Sequence, residues 1–184
     1  MGCCCSQHKS KDISKRPRGK KPLDEKPKKP QKLKDFISDC VKVHNTYRKK
    51  HGVPPLKQSR DLSRYAQKWA DHLAANNLFQ HSDCNHKGKK LGENIASKRS
   101  SAETEYTAQE ACDQWYNEIT KYKFGTETRV MGTGHFTQMV WKGSKELGIG
   151  KAQGSGGRMI VVASYRPAGN VIGTFKANVL PPKK

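Results

Sequence analysis

Four ionisable side chains sit in apolar or aromatic company: His81 after Leu78-Phe79, Glu93 in LGENIA, Glu118 in QWYNEI and His135 in GTGHFTQMVW. A titratable group in such a stretch needs a polar partner once buried. Two imidazoles and two carboxylates suit a borderline metal such as zinc. A metal-held water with Glu93 or Glu118 as general base would be the chemistry of a hydrolase. The four lie far apart in the chain, however, and spacing alone does not bring them together. The plain alternative is a set of hydrogen-bonded core groups.

A second chemistry opens the sequence. M-G-C-C-C-S fits the N-myristoylation pattern, with Gly2 as acceptor once Met1 is removed and Ser6 in the last position. One myristoyl chain binds membranes only marginally, so stable anchoring needs a further signal. Cys3, Cys4 and Cys5 are placed for S-palmitoylation. The lysine-rich stretch behind them would add roughly 1 kcal/mol for each cation held near an anionic leaflet. The rival reading of the three thiols, a metal or redox cluster, is poor, because adjacent cysteines make bad tetrahedral geometry.

The elements that must position the four residues are legible as periodicities. Leu33, Phe36/Ile37, Cys40/Val41, His44 and Tyr47 recur at helical spacing up to Gly52, and Pro54-Pro55 forbid continuation. A second helix fits Asp61 to Leu78, and a third fits roughly Thr104 to Tyr122 through Ala108, Ala111/Cys112, Trp115 and Ile119. Beyond Gly132 the glycines multiply. ELGIGKA and RMIVVASY, joined by QGSGG, predict a β-hairpin. Helices followed by strands imply an antiparallel sheet covered by helices, an α+β fold.

Motif and composition together predict that residues 1–34 are an acylated, polybasic and disordered tail and residues 35–184 one folded domain. Up to Asp35 there are 12 basic and 4 acidic residues and almost nothing to bury. The whole chain of 184 residues has 36 Lys and Arg against 16 Asp and Glu, a net charge of +20. That surplus points to an anionic partner. Nucleic acid is not expected, since the tail offers no aromatic residue for stacking and little Arg for bidentate contacts. No apolar run is long enough to cross a bilayer and no secretory h-region opens the chain. Cys40, Cys84 and Cys112 are scattered and odd in number, which argues against a disulfide framework.

GHFTQMVWKGS (Gly134 to Ser144) and VVASYRPAGNV (Val161 to Val171) resemble the two signature segments of the superfamily of cysteine-rich secretory proteins, antigen 5 and pathogenesis-related proteins. The likeness runs through HNTYRKKHGVPPL, HSDC, LGENIA and QWYNEI to NVLPPKK, and is nearest to the myristoylated intracellular animal branch. It implies an α-β-α sandwich with a central antiparallel sheet. It further implies a cleft lined by His81, Glu93, Glu118 and His135, with both histidines as metal ligands, zinc above all, and the carboxylates holding a bound water. Many secreted relatives carry Cys where this chain has Ala163, and that departure suits a reducing compartment. The expectation is a lipid-anchored protein on the cytosolic side of the Golgi or plasma membrane, with anionic lipids, protein partners or a second copy of itself as partners. A metal-assisted hydrolase and a secreted protein of the same type are the alternatives.

Overall fold

A computed structural model describes residues 31–99 and 105–183. Gly2, Cys3, Cys4 and Cys5, the lipidation residues, lie outside the described residues. The first helix, α1 (Leu33–Lys50), buries Phe36, Cys40, His44 and Arg48, an i, i+4 ladder. Leu33, expected on that face, is instead exposed at the helix end. The helix stops at His51 because Gly52 turns left-handed (φ 66°), letting the Val53 amide reach back to the Arg48 carbonyl.

A short strand β1 (Lys57–Gln58) leads into α2 (Arg60–Ala75), whose Ser59 cap accepts the Leu62 amide. The expected end at Leu78 is corrected to Ala75. Asn77 takes a left-handed conformation (φ 51°) and the Leu78 amide closes onto the Leu73 carbonyl, a Schellman stop. A small ribbon, β2 (Asn85–His86) with β3 (Lys89–Lys90), precedes β4 (Gly92–Arg99). The helix expected from Thr104 begins later, as α3 (Ala108–Tyr116), and tightens into a 3-10 turn over Asn117–Lys121. Its start is fixed by a capping box in which Thr107 and Glu110 satisfy each other's backbone amides. Then come α4 (Gly134–Met139), the expected hairpin β5 (Glu146–Gln153) and β6 (Arg158–Arg166), and α5 (Phe175–Asn178).

The main sheet has strand order β1-β5-β6-β4, antiparallel except where the two residues of β1 run parallel to β5. Alternation along β6 divides the core in two. Val161, Ala163 and Tyr165 face α1 and α3 with Phe36, Cys112 and Trp115, whereas Ile160 and Val162 face α2 with Ala66, Ala70 and Leu73. The α-β-α sandwich is therefore present, with α2 on one side and α1 and α3 on the other. Trp115 and Trp141 are core residues.

The α2 layer sits unusually close. A Cβ at Gly148 would come within 2.2 Å of the Leu62 backbone, and one at Gly150 within 2.5 Å of Ala66 and Gln67. Glycine is required there by helix-to-strand approach. Beyond β1 the outer edge of β5 is completed by α2 side chains: Ser63 Oγ accepts from the Ile149 amide at 3.3 Å, and Gln67 pairs both backbone polar groups of Lys151 at 2.8 and 2.9 Å.

Candidate functional site

Each of the four residues singled out in the sequence has one of the others as its partner. His81 Nδ1 lies 2.7 Å from Glu93 Oε1, and His135 Nδ1 lies 2.8 Å from Glu118 Oε1. Glu93 sits on β4 with its side chain 1% exposed, while His81, in the loop after α2, is 58% exposed. The carboxylate is fully engaged, since Oε1 also accepts the Ser82 amide and Oε2 accepts Ser82 Oγ at 2.7 Å. Glu118, on the 3-10 turn, accepts the amides of His135 and Phe136 through Oε2 at 2.9 and 3.1 Å. It thereby caps α4 while gripping the imidazole that α4 carries.

The electrostatics follow from these contacts. The hydrogen bond to the Glu93 carboxylate raises the affinity of His81 for a proton against the opposing effects of burial and the nearby Arg129 charge. Burial pushes Glu118 upward, but His135 and the two amides outweigh it, and its carboxyl titrates below the usual range. In both pairs the carboxylate holds Nδ1 and leaves Nε2 as the ring's ligating nitrogen, the arrangement in which outer carboxylates orient histidine for a metal.

The edge strand β4 links the two pairs. Side chains alternate along β4, so Glu93 shares its face with Ile95 on the α2 side and Asn94 shares its face with Ala96 on the other. Asn94, buried beside Glu93, donates to the His135 carbonyl at 3.0 Å and to Tyr165 Oη at 3.1 Å. Tyr165 in turn bonds His44 Nε2 at 2.8 Å. Arg129, whose charge reaches His81, lies 3.7 Å from the position a Cβ on Gly134 would occupy. Ser82, Asn94 and Arg129 went unnoticed in the sequence as site residues. The first two were visible as the polar residues inside HSDC and LGENIA, whereas nothing local marks Arg129.

Among the described residues no three His, Cys, Asp or Glu side chains converge to hold an ion. Both carboxylates are already engaged by amides, a hydroxyl or an imidazole, so the ring nitrogen left as a ligand in each pair is Nε2, and a closed four-ligand site does not fit. An open depression of about 560 Å³ lies elsewhere, lined by Asn45, Lys49, Gly52, Val53, Pro54, Pro55 and Lys183. Cys40, Cys84 and Cys112 are free thiols, and Ala163 is buried on β6 between Asn94 and Ile149.

The sequence model described as "Cysteine-rich secretory protein family" matches residues 41–165, which include all four site residues. The chain belongs to this CAP family. Human Golgi-associated plant pathogenesis-related protein 1 is 48% identical over 153 residues, spanning 82% of this chain and 96% of its own. Protein PRY2 of Saccharomyces cerevisiae is 39% identical over 149 residues, which are 80% of this CAP chain but only 42% of the yeast protein. Among solved structures, BmVAL-1 superposes with a TM-score of 0.66 at 24% identity, covering 84% of this chain and 86% of its own. A structure of NaASP2 with Zn2+ superposes at 0.63 and 23% identity, covering 82% and 87%. These two likenesses establish the CAP fold.

Proposed function

We propose that this CAP-domain protein is a lipid-anchored peripheral membrane protein, myristoylated on Gly2 and palmitoylated within Cys3, Cys4 and Cys5. In this reading it binds anionic lipid and protein partners on the cytosolic face of the Golgi or plasma membrane. The observation that carries it is M-G-C-C-C-S followed by a basic stretch. That arrangement supplies two acyl signals and an electrostatic one, enough together for stable anchoring. A relative named Golgi-associated, 48% identical, supports the location. No helix among the described residues is long and apolar enough to cross a membrane, so association at this level would rest on acyl chains and surface contacts. Fractionation of cells expressing Gly2→Ala tests the reading. The variant is expected in the soluble fraction, and unchanged membrane association would refute it.

The orientation of the imidazoles favours a second property of the same protein, a divalent metal held by His81 and His135 through Nε2. Zinc is among the ions that imidazole donors suit, and when bound it would polarise a ligand or water. Glu93 and Glu118 fix ring orientation and tautomer, and Ser82 and the α4 amides fix the carboxylates. Calorimetric titration of the full chain with zinc should show binding that a His81→Ala/His135→Ala double variant loses. Equal binding by the double variant would remove the site.

A further inference from the structure

The dipeptide Glu93-Asn94 on β4 reaches both halves of the site at once. Glu93 holds the His81 ring, and the buried Asn94 donates to the His135 carbonyl at 3.0 Å. His135 belongs to a six-residue helix, α4, too short to be stable by itself and lacking a side-chain bond from its cap residue Thr133. Where its first turn lies is therefore decided by what grips it. Glu118 binds two of its amides, Asn170 binds the Gly134 carbonyl and Asn94 binds the His135 carbonyl. Of these three, Asn94 is the one on the strand that carries Glu93.

The direction of every hydrogen bond behind Asn94 follows from one fixed end. His44 Nδ1 lies 2.7 Å from the Cys40 carbonyl, which can only accept, so Nδ1 carries a proton. Burial lowers the His44 pKa to about 4, which leaves the ring neutral at pH 7 and makes Nε2 an acceptor. The Tyr165 hydroxyl, 2.8 Å away, must then donate to Nε2, and its oxygen is left to accept from Asn94 Nδ2 at 3.1 Å. The two amide protons of Asn94 thus point at Tyr165 and His135. The amide oxygen is left over: Asn94 Oδ1 is buried without a hydrogen-bond partner among the described residues. Turning the amide over would set that oxygen against two acceptors, the His135 carbonyl and the Tyr165 oxygen. A side chain serving packing alone could be apolar and of the same shape, with no polar atom stranded. The orphaned oxygen marks Asn94 as present for its two donors.

We propose that Asn94 is a positioning residue of the two-histidine site: it fixes where His135 stands relative to His81, and the buried chain of Cys40, His44 and Tyr165 fixes the orientation of Asn94. The inference rests on the reading that His81 and His135 hold a metal ion, and deepens it. One strand then supports both imidazoles, through the His81 ring at Glu93 and through the α4 backbone at Asn94. Asn94 and Tyr165 act through His135 and do not touch the ion.

The test uses the unacylated full chain, with zinc affinity read by chelator competition and the His81→Ala/His135→Ala double variant reporting any zinc held elsewhere. Asn94→Ala is expected to weaken binding at the site about tenfold, as loss of an outer support of a ligand does. Tyr165→Phe, which keeps the ring and frees the amide, should weaken it in the same direction by a smaller factor, and decides the matter if Asn94→Ala fails to fold. A metal-free readout runs beside this one. In both variants the His135 and Phe136 amides, which Glu118 binds, should exchange with solvent faster relative to the amides of β5 than they do in wild type. Phe36→Leu, a core change near the start of α1, is the control for lost stability and should lower Tm with zinc affinity and relative exchange unchanged. Ring-nitrogen NMR of wild type should find His44 neutral with its proton on Nδ1. Variants at Asn94 and Tyr165 that behave like Phe36→Leu, or a His44 proton on Nε2 alone, overturn the positioning role and leave the metal site standing. A wild-type chain that binds no more zinc than the double variant removes the metal site and this inference together.

Discussion

Glu93 is the residue on which the site turns, because its three hydrogen bonds fix both the His81 ring and the loop that carries it. Replacing it by Gln keeps the volume but removes the charge and turns one oxygen into a donor facing a donor. For the proposed two-histidine site, Glu93→Gln should weaken zinc binding about 10- to 100-fold, read by competition with a chromogenic chelator. Arg48 carries a structural task of comparable weight. Fully buried, it donates to the carbonyls of Pro54, Met139, Trp141 and Ser144, tying the loop after α1 to the segment from the end of α4 to β5. Arg48→Met strands the buried carbonyls of Met139, Trp141 and Ser144 as well as that of Pro54, and chemical denaturation should show a loss of about 3 kcal/mol or more. His44 makes stability depend on pH. Burial lowers its pKa to about 4, so the folded state binds fewer protons than the unfolded state between about pH 4 and 6.5. Its contribution is intact above the unfolded value and is lost as pH falls through this window, by a few kcal/mol in all. Denaturation midpoints should fall from pH 7 to pH 5 in wild type and fall less steeply in His44→Gln.

At the scale of elements, α2 against β5 is the least forgiving contact. Gly148→Ala places a methyl group inside the backbone of Leu62 and Ser63, atoms that no rotamer change can move. The helix must lift from the sheet, and calorimetry should show a fall in Tm of several degrees or no cooperative transition. Much of this architecture was legible in the sequence. The i, i+4 apolar ladders announced α1 and α2, and two β-rich runs around QGSGG announced β5 and β6. Strand β4 was not legible as a strand. Gly92, Glu93, Asn94 and Ser97 have weak strand preference, and the segment is extended because it pairs with β6 from Gly92 opposite Tyr165 to Arg99 opposite Arg158. The same pairing explains the partial legibility of the site. Composition marked His81, Glu93, Glu118 and His135 as out of place, and the resemblance grouped them. Which carboxylate holds which imidazole depends on long-range register and on a 3-10 turn ending α3, neither of which local spacing encodes. Thr107 and Glu110 did spell a capping box, and reading it would have put the start of α3 where it lies.

At the scale of the molecule, the proposed surface anchoring rests on charge and on the acylation pattern. The folded part retains a surplus of 24 basic over 12 acidic residues beyond Asp35, so the tail and the domain would attract an anionic leaflet together. Surface attraction of this kind is screened by salt. A protein held only by charge should leave membranes in high-salt washes, whereas one held by two or more acyl chains should stay until detergent is added. The central claim is that the anchor is covalent lipid, and intact mass spectrometry of the protein from eukaryotic cells, before and after hydroxylamine, tests it most directly. The account predicts loss of Met1, one myristoyl increment that survives hydroxylamine, and at least one palmitoyl increment that hydroxylamine removes. An N-terminus carrying neither increment would contradict it.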